Sequence, residues 1–279
     1  MPIILFPPRR FLFGFAILLI VTGVFGPKTS AQKPQGSETY VIKRLPKQGD
    51  VDKYKIKLIQ KMTGADLNNG ELNVVFRLAL KETAKSVSRN GLVHYLEEFT
   101  SAAGEVNGAA MDIQSKTPKV SLSVDQTGHV EASNQGGEEP VASQFGDLVK
   151  LLIETRSAAA PQSAVKIGDT WKLDVAAPGP DPTLKVSLTL TLDGIETIGA
   201  SKAYRIKSIS DSLGSAKGDS RMRSEGLIYI DVESGKTVKM TTQGTGTVTG
   251  NAVTTEMTFE LTGSSESSVK KEDPTAAGS

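Results

Sequence analysis

There is no cysteine in this chain of 279 residues. That absence excludes disulfides, thiolate metal sites, cysteine nucleophiles and a lipid-modified N-terminal cysteine. Histidine is almost as scarce. His94 and His129 are the only two, too few and too far apart in sequence for an imidazole-built metal centre. Aromatic residues make up 5%, and Trp171 is the single tryptophan. A charge excess is missing as well, with 32 Lys+Arg against 31 Asp+Glu. A near-neutral chain presents no overall field for nucleic acid. No glycine-rich phosphate loop joins a strand to a helix, which argues against a nucleotide. No G-x-S-x-G is present. Ser163-Ala164-Val165-Lys166 spells S-x-x-K, but it leads into a strand, and Lys236-Thr237-Val238 lacks the glycine of its usual companion. Asp66-Leu67-Asn68-Asn69-Gly70-Glu71 is rich in oxygens but lacks calcium-loop spacing. The sequence therefore offers no catalytic residue, no metal ligand set and no cofactor motif, and predicts a non-enzymatic protein.

What is present begins with an export signal. Arg9 and Arg10 precede Phe11–Phe25, an uncharged apolar run of 15 residues containing Gly14 and Gly23. A bilayer-spanning helix needs about 20. Thr29-Ser30-Ala31 then supplies small residues. The pattern predicts a secretory signal over residues 1–31 cleaved before Gln32, with a retained anchor as the rival. Cleavage removes Arg9, Arg10 and Lys28 and no acid, leaving 29 basic against 31 acidic residues. The expected location is periplasmic or extracellular, with no transmembrane span after cleavage, and the missing cysteine fits a bacterial envelope protein.

The remainder reads as strands. A polar spacer and first strand occupy 32–49. From Val51, Tyr54, Ile56, Leu58 and Met62 alternate with Lys53, Lys55, Lys57 and Lys61, so the two sets face opposite sides. Leu72, Val74, Phe76, Leu78 and Leu80 continue in period two after a turn at Asn69-Gly70. Asn90-Gly91 turns again. The stretch 101–112 is Gly/Ala-rich and weakly patterned. Val141, Phe145, Leu148, Val149 and Leu152 change the period to that of an amphipathic helix over about 141–156, ended by Pro161. Strands resume at Trp171. Leu184, Val186, Leu188, Leu190 and Leu192 alternate cleanly, Tyr204, Ile206 and Ile209 follow, and Thr-rich strands run to residue 262 with Val253, Met257, Phe259 and Leu261 facing in. The tail 263–279 is polar and predicted disordered. A faint echo between the acidic turns at 125–128 and 231–235 raises an internal duplication.

The prediction is a mainly β, antiparallel protein: one β-rich domain over 50–262, with halves at about 50–132 and 165–262 bridged by the helix. The apolar faces call for a curved sheet or half-barrel, or for a sandwich. Trp171, after a Gly-Asp turn, reads as a core anchor with its N–H bonded to backbone, or as part of a ligand cavity. Lys53, Lys55, Lys57 and Lys61 read either as a patch for an anionic lipid or wall polymer, or as lysine protection of an edge strand.

The layout of several short elements resembles that of a family of exported bacterial β-proteins of unassigned function: the turn Asp125–Val130, the helix, Pro161, the V-x-x-G-D-x-W element Val165–Trp171, and the later Gly226, Asp231, Gly235 and Val238. That resemblance implies an antiparallel sheet distantly like the half-barrels of LolA-type lipoprotein carriers, and it brings no catalytic residues. The functional expectation is an envelope protein that binds or carries a lipid-like apolar ligand in a cavity lined by Val74, Phe76, Leu184, Leu188, Leu192 and Trp171. The alternative is a structural or interaction module of the envelope without a cavity, whose partner is another envelope component.

Overall fold

The structure, a computed structural model, describes residues 38–44, 46–64, 67, 70–111, 119–125, 130–134, 160–176, 185–212, 221–248 and 253–266. The expected signal, the helix over about 141–156, Leu184, His129 and the tail beyond 266 lie outside the described residues.

Among the described residues twelve strands form: β1 (Val51–Thr63), β2 (Glu71–Val87), β3 (Val93–Val106), β4 (Ala109–Met111), β5 (Lys119–Val124), β6 (Val130–Asn134), β7 (Thr170–Ala176), β8 (Lys185–Ile198), β9 (Ser201–Ser212), β10 (Arg221–Asp231), β11 (Thr237–Val248) and β12 (Val253–Glu266). They make one antiparallel sheet in the order β6-β5-β3-β2-β1-β12-β11-β10-β9-β8-β7, with β4 added on β3. The two halves anticipated from the sequence are two meanders. They join where β1 pairs with β12, in thirteen residue pairs from Val51↔Glu266 to Thr63↔Thr254. A sheet this wide coils rather than lying flat, because each strand carries a right-handed twist.

Alternation decides the two faces. On β1, Tyr54, Ile56, Leu58 and Met62 are buried, while Lys53 and Lys55 are exposed and Lys57 and Lys61 half-buried on the other side. The same face is buried on β2 (Val74, Phe76, Leu78, Leu80), β3 (Val93, Tyr95, Phe99), β5 (Val120, Leu122, Val124), β8 (Leu188, Leu190, Leu192) and the strands between. These side chains form one continuous apolar cluster.

Three expectations change. β1 lies in the middle of the sheet, so its lysines do not protect a native edge. β12 runs four residues past the expected boundary, because Ser264–Glu266 pair with the first residues of β1. Stretch 101–112 is strand as far as Val106, turns at Asn107-Gly108 and returns as β4. Ile209 lies on β9 with Tyr204 and Ile206, as expected, but on the other face. The period-two rule carries Tyr204 and Ile206 on to Ser208 and Ser210, which are buried, and leaves Ile209 on the opposite side.

A strap precedes β1. Tyr40 and Val165 exchange backbone hydrogen bonds of 2.7 and 2.9 Å, and the Tyr40 ring meets Tyr204 edge-on at 5.8 Å between centroids. Ile42 is buried. The V-x-x-G-D-x-W element explains itself here. Val165 receives the strap. The Asp169 carboxylate accepts from the Lys166 N–H at 2.8 Å, and Gly168, at φ +96°, donates its N–H to the Leu192 carbonyl at 2.7 Å. That turn delivers Trp171 into β7.

Candidate functional site

The ladder registers place the buried face in rows that cross the strands. One row passes from Val74 through Gln60 and Met257 to Gly244, Ser224 and Ser210, and ends at Leu188 and Leu173. The next passes from Phe76 through Leu58 and Phe259 to Thr242, Gly226 and Ser208, and ends at Leu190 and Trp171. In both rows, bulky residues on β1 and β2 and on β8 flank a lane of small residues on β9, β10 and β11. The two outer strands of that lane stand about 10 Å apart. Gly246, two residues beyond Gly244 on β11 and opposite Met222, is buried on the same face, as is Gly226. Small side chains are required: a Cβ on Gly244 would sit 2.4 Å from the Ser224 Cβ.

Of the sequence-derived cavity residues, Val74, Phe76, Leu188 and Leu192 are all buried on this face and belong to the one cluster. Trp171 is half-buried and packs against it. They share a face rather than a point. β2 and β8 are separated by five strands, about 29 Å along the sheet. The expected backbone hydrogen bond from the Trp171 indole does not form: its Nε1 has no partner among the described residues. It sits on β7, at the end of the strand order, opposite Leu190.

The sequence reading passed over the polar members of this face. Gln60 follows Leu58 and precedes Met62 in the apolar register of β1, and it is 1% exposed. Neither its Oε1 nor its Nε2 has a hydrogen-bond partner among the described residues. Thr255, opposite Met62 on β12, is 0% exposed and its Oγ1 is likewise unpartnered. Ser210 and Ser224 at least reach each other, at 3.3 Å between hydroxyls. A glutamine in an apolar period-two register was the available signal.

Charge is confined to the other end of the same strands. The Arg44 guanidinium of the strap forms a hydrogen-bonded ion pair with Glu82, lies 3.5 Å from Asp52 and stands 4.5 Å over the Tyr95 ring. Lys236 Nζ is 3.0 Å from Asp52 and 3.5 Å from Asp50. Glu82 faces Asp52 on one side and Glu97 on the other, and all three carboxylates are buried. From Asp52 to Gln60 along β1 is about 27 Å.

On the outer face, Lys53 and Lys57 stand opposite Lys81 and Arg77 of β2, which enlarges the cationic stripe. Its margins are neutralised. Lys61 pairs with Glu71 at 3.3 Å, Arg77 with Glu105, and Lys81 and Lys119 with Glu98 at 3.4 and 2.8 Å. The hydrogen bond from Lys119 holds the Glu98 carboxyl below its ordinary range. His94 is exposed, with Nδ1 2.9 Å from the Ser123 hydroxyl. Among the described residues no cluster of histidine and acidic side chains is arranged to hold a metal ion, and no helix is long and apolar enough to cross a membrane.

Comparison with known proteins gives a likeness of fold. No family model and no curated protein matches the chain. A solved structure described as lipid-protein interactions in lipovitellin is similar over 84% of this chain, at a TM-score of 0.51 and 9% identity. The chain spans 26% of that protein's length. DynF from the dynemicin biosynthesis pathway of Micromonospora chersina aligns over 86% of this chain at 8% identity, with a TM-score of 0.23. What the chain shares with lipovitellin is a broad antiparallel sheet.

Proposed function

We propose that the chain is an exported, non-enzymatic envelope protein that holds a lipid-like apolar ligand against the buried face of its sheet. The observation that carries this reading is the lane of small residues on β9–β11, bordered on both sides by bulky apolar side chains. Small residues on three adjacent strands keep the sheet surface low between its bulky flanks, a shape that suits an elongated apolar chain lying across it. The likeness to lipovitellin, whose description concerns lipid–protein interactions, supports it, as does the LolA-like layout of the sequence. Export rests on the signal-like segment 1–31.

Native mass spectrometry of the full chain purified from its envelope fraction tests the reading. Co-purified lipid, lost on delipidation and regained on adding lipid, is the expected result. The outer stripe of Lys53, Lys55, Lys57, Arg77 and Lys81 favours a second reading, a module that docks on an anionic envelope surface. A protein that carries no lipid but binds anionic vesicles in a salt-sensitive way would decide for that module.

A further inference from the structure

We propose that Gln60 and Thr255 are the polar anchors of the ligand site, and that the site takes a neutral acyl lipid whose polar group is an uncharged ester or hydroxyl, of which diacylglycerol is the simplest. This rests on the reading of the buried face as a lipid-holding surface and adds to it the chemical class of the ligand.

The argument begins with an unmet need. A buried primary amide has two donors and an acceptor, and Gln60 uses none of them among the described residues. Leaving such a group unsatisfied is costly, so buried polar atoms in folded proteins are nearly always paired. Thr255 repeats the same deficit one strand away and one row along, on the same face. The two orphaned hydrogen-bonding groups lie on neighbouring strands of one face, with Thr255 opposite Gly246 and Gln60 one strand further from the lane, beyond the Met257 position of β12, and they match a ligand that carries a hydroxyl and an ester carbonyl beside its acyl chains. The amide N–H would donate to the carbonyl. The amide oxygen would accept from the ligand's O–H, and the threonine hydroxyl would donate to an ester carbonyl.

Neutrality follows from what surrounds them. The rows through Gln60 and Thr255 carry Val74, Met62, Ser224, Ser210 and glycines, with no ionisable side chain among them. The buried charges of this face, Asp52, Glu82, Glu97 and Lys236, all lie at the opposite end of the strands. A carboxylate or phosphate placed at Gln60 would be buried without a counter-charge, which is far more costly than burying an ester. Acyl chains, by contrast, fit the flanks supplied by Leu58 and Leu188.

Equilibrium binding of dioleoylglycerol, dioleoylphosphatidate and hexadecane to the delipidated full chain tests this, with Gln60→Leu and Thr255→Val as variants. The wild type is expected to prefer dioleoylglycerol to dioleoylphosphatidate at least tenfold. Gln60→Leu should weaken dioleoylglycerol about tenfold, the scale of one or two lost hydrogen bonds, and leave hexadecane within about twofold. The apo variant should melt no lower than wild type, since an unsatisfied amide has been replaced by an apolar group of similar size. Thr255→Val, which keeps the side-chain shape, should weaken dioleoylglycerol about threefold and serves should Gln60→Leu fail to fold. Equal losses for dioleoylglycerol and hexadecane would mean a packing effect and overturn the proposal. Unchanged dioleoylglycerol affinity would mean that a trapped water satisfies the amide, and a preference for phosphatidate would remove neutrality; either overturns it too. A wild type that binds neither hexadecane nor dioleoylglycerol sinks the lipid reading itself.

Discussion

A carboxylate ringed by donors titrates differently from one in water, and Asp231 is such a group. Burial alone would raise its pKa. The Ser234 hydroxyl and backbone N–H, at 2.7 and 2.8 Å, together with donors from Ser201 and Glu233, more than offset that and hold it below the ordinary carboxylate range. A depressed native pKa contributes stability that is fully present above the unfolded value of about 3.9 and fades as pH falls through the native one. Asp231→Asn is therefore expected to lower the melting temperature at pH 7, by a partly screened contribution of about 1 kcal/mol or less. The gap between variant and wild type should close as the pH falls through the depressed native pKa in the same melting series; a gap independent of pH would assign the effect to packing. At this scale the sequence disclosed type but not environment. Tyr54, Leu58 and Leu188 were legible as inward residues because their neighbours alternate with them. Gln60 was not, because a pattern of apolar residues is read by skipping its exceptions. Nor was the unbonded indole of Trp171, since what acceptors remain beside it depends on which strand β7 neighbours.

The strap and the β10–β11 turn show how elements hold one another. Gly235 occupies φ +68°, and a Cβ there would lie 1.8 Å from the Lys43 carbonyl oxygen. Backbone thus runs against backbone, so the strap over 40–44 fits only where position 235 has no side chain. The contact brings Arg44 to Glu82 and Asp52, and sets Lys236 beside the same aspartate. Gly235→Ala should pull these apart together. A loss of about 3 kcal/mol or more is expected in urea unfolding, the scale of breaking a buried ion pair, with faster proteolysis within residues 38–44. A variant as stable and as resistant as wild type would show that the strap does not depend on the close approach. Individual strands and hairpin turns were readable in advance, since Gly70, Gly91 and Gly235 all adopt the positive φ that such turns ask for. The strap was not, because Tyr40 meets Val165 across more than a hundred residues of intervening chain. Ile209 shows the same dependence on partners: it is apolar but one position off the register, and the ladder with β10 holds the period.

For the molecule as a whole, one ladder decides whether there are two small sheets or one large one. β1 pairs with β12 along its full length, and without β12 the β1–β6 meander and the β7–β11 meander have no hydrogen bonds to each other in the strand order. A chain ending at Ala252 should therefore lose the cooperative unfolding transition seen for the full chain, with calorimetry as the measure; an intact single transition would mean that the halves fold on their own. Fold class was visible from composition and period two. The joining of first strand to last was not, since local pattern carries no information about partners far away in sequence. That same ladder also has a timetable. A chain made from its N-terminus produces β1 at the start and β12 at the end, so the middle of the finished sheet is an open edge for as long as the rest is being made, and non-local pairing of this kind is slow to form. Lys53, Lys55 and Lys57 line that temporary edge. Charges that guard no border in the native sheet are well placed to keep unfinished copies from pairing with one another.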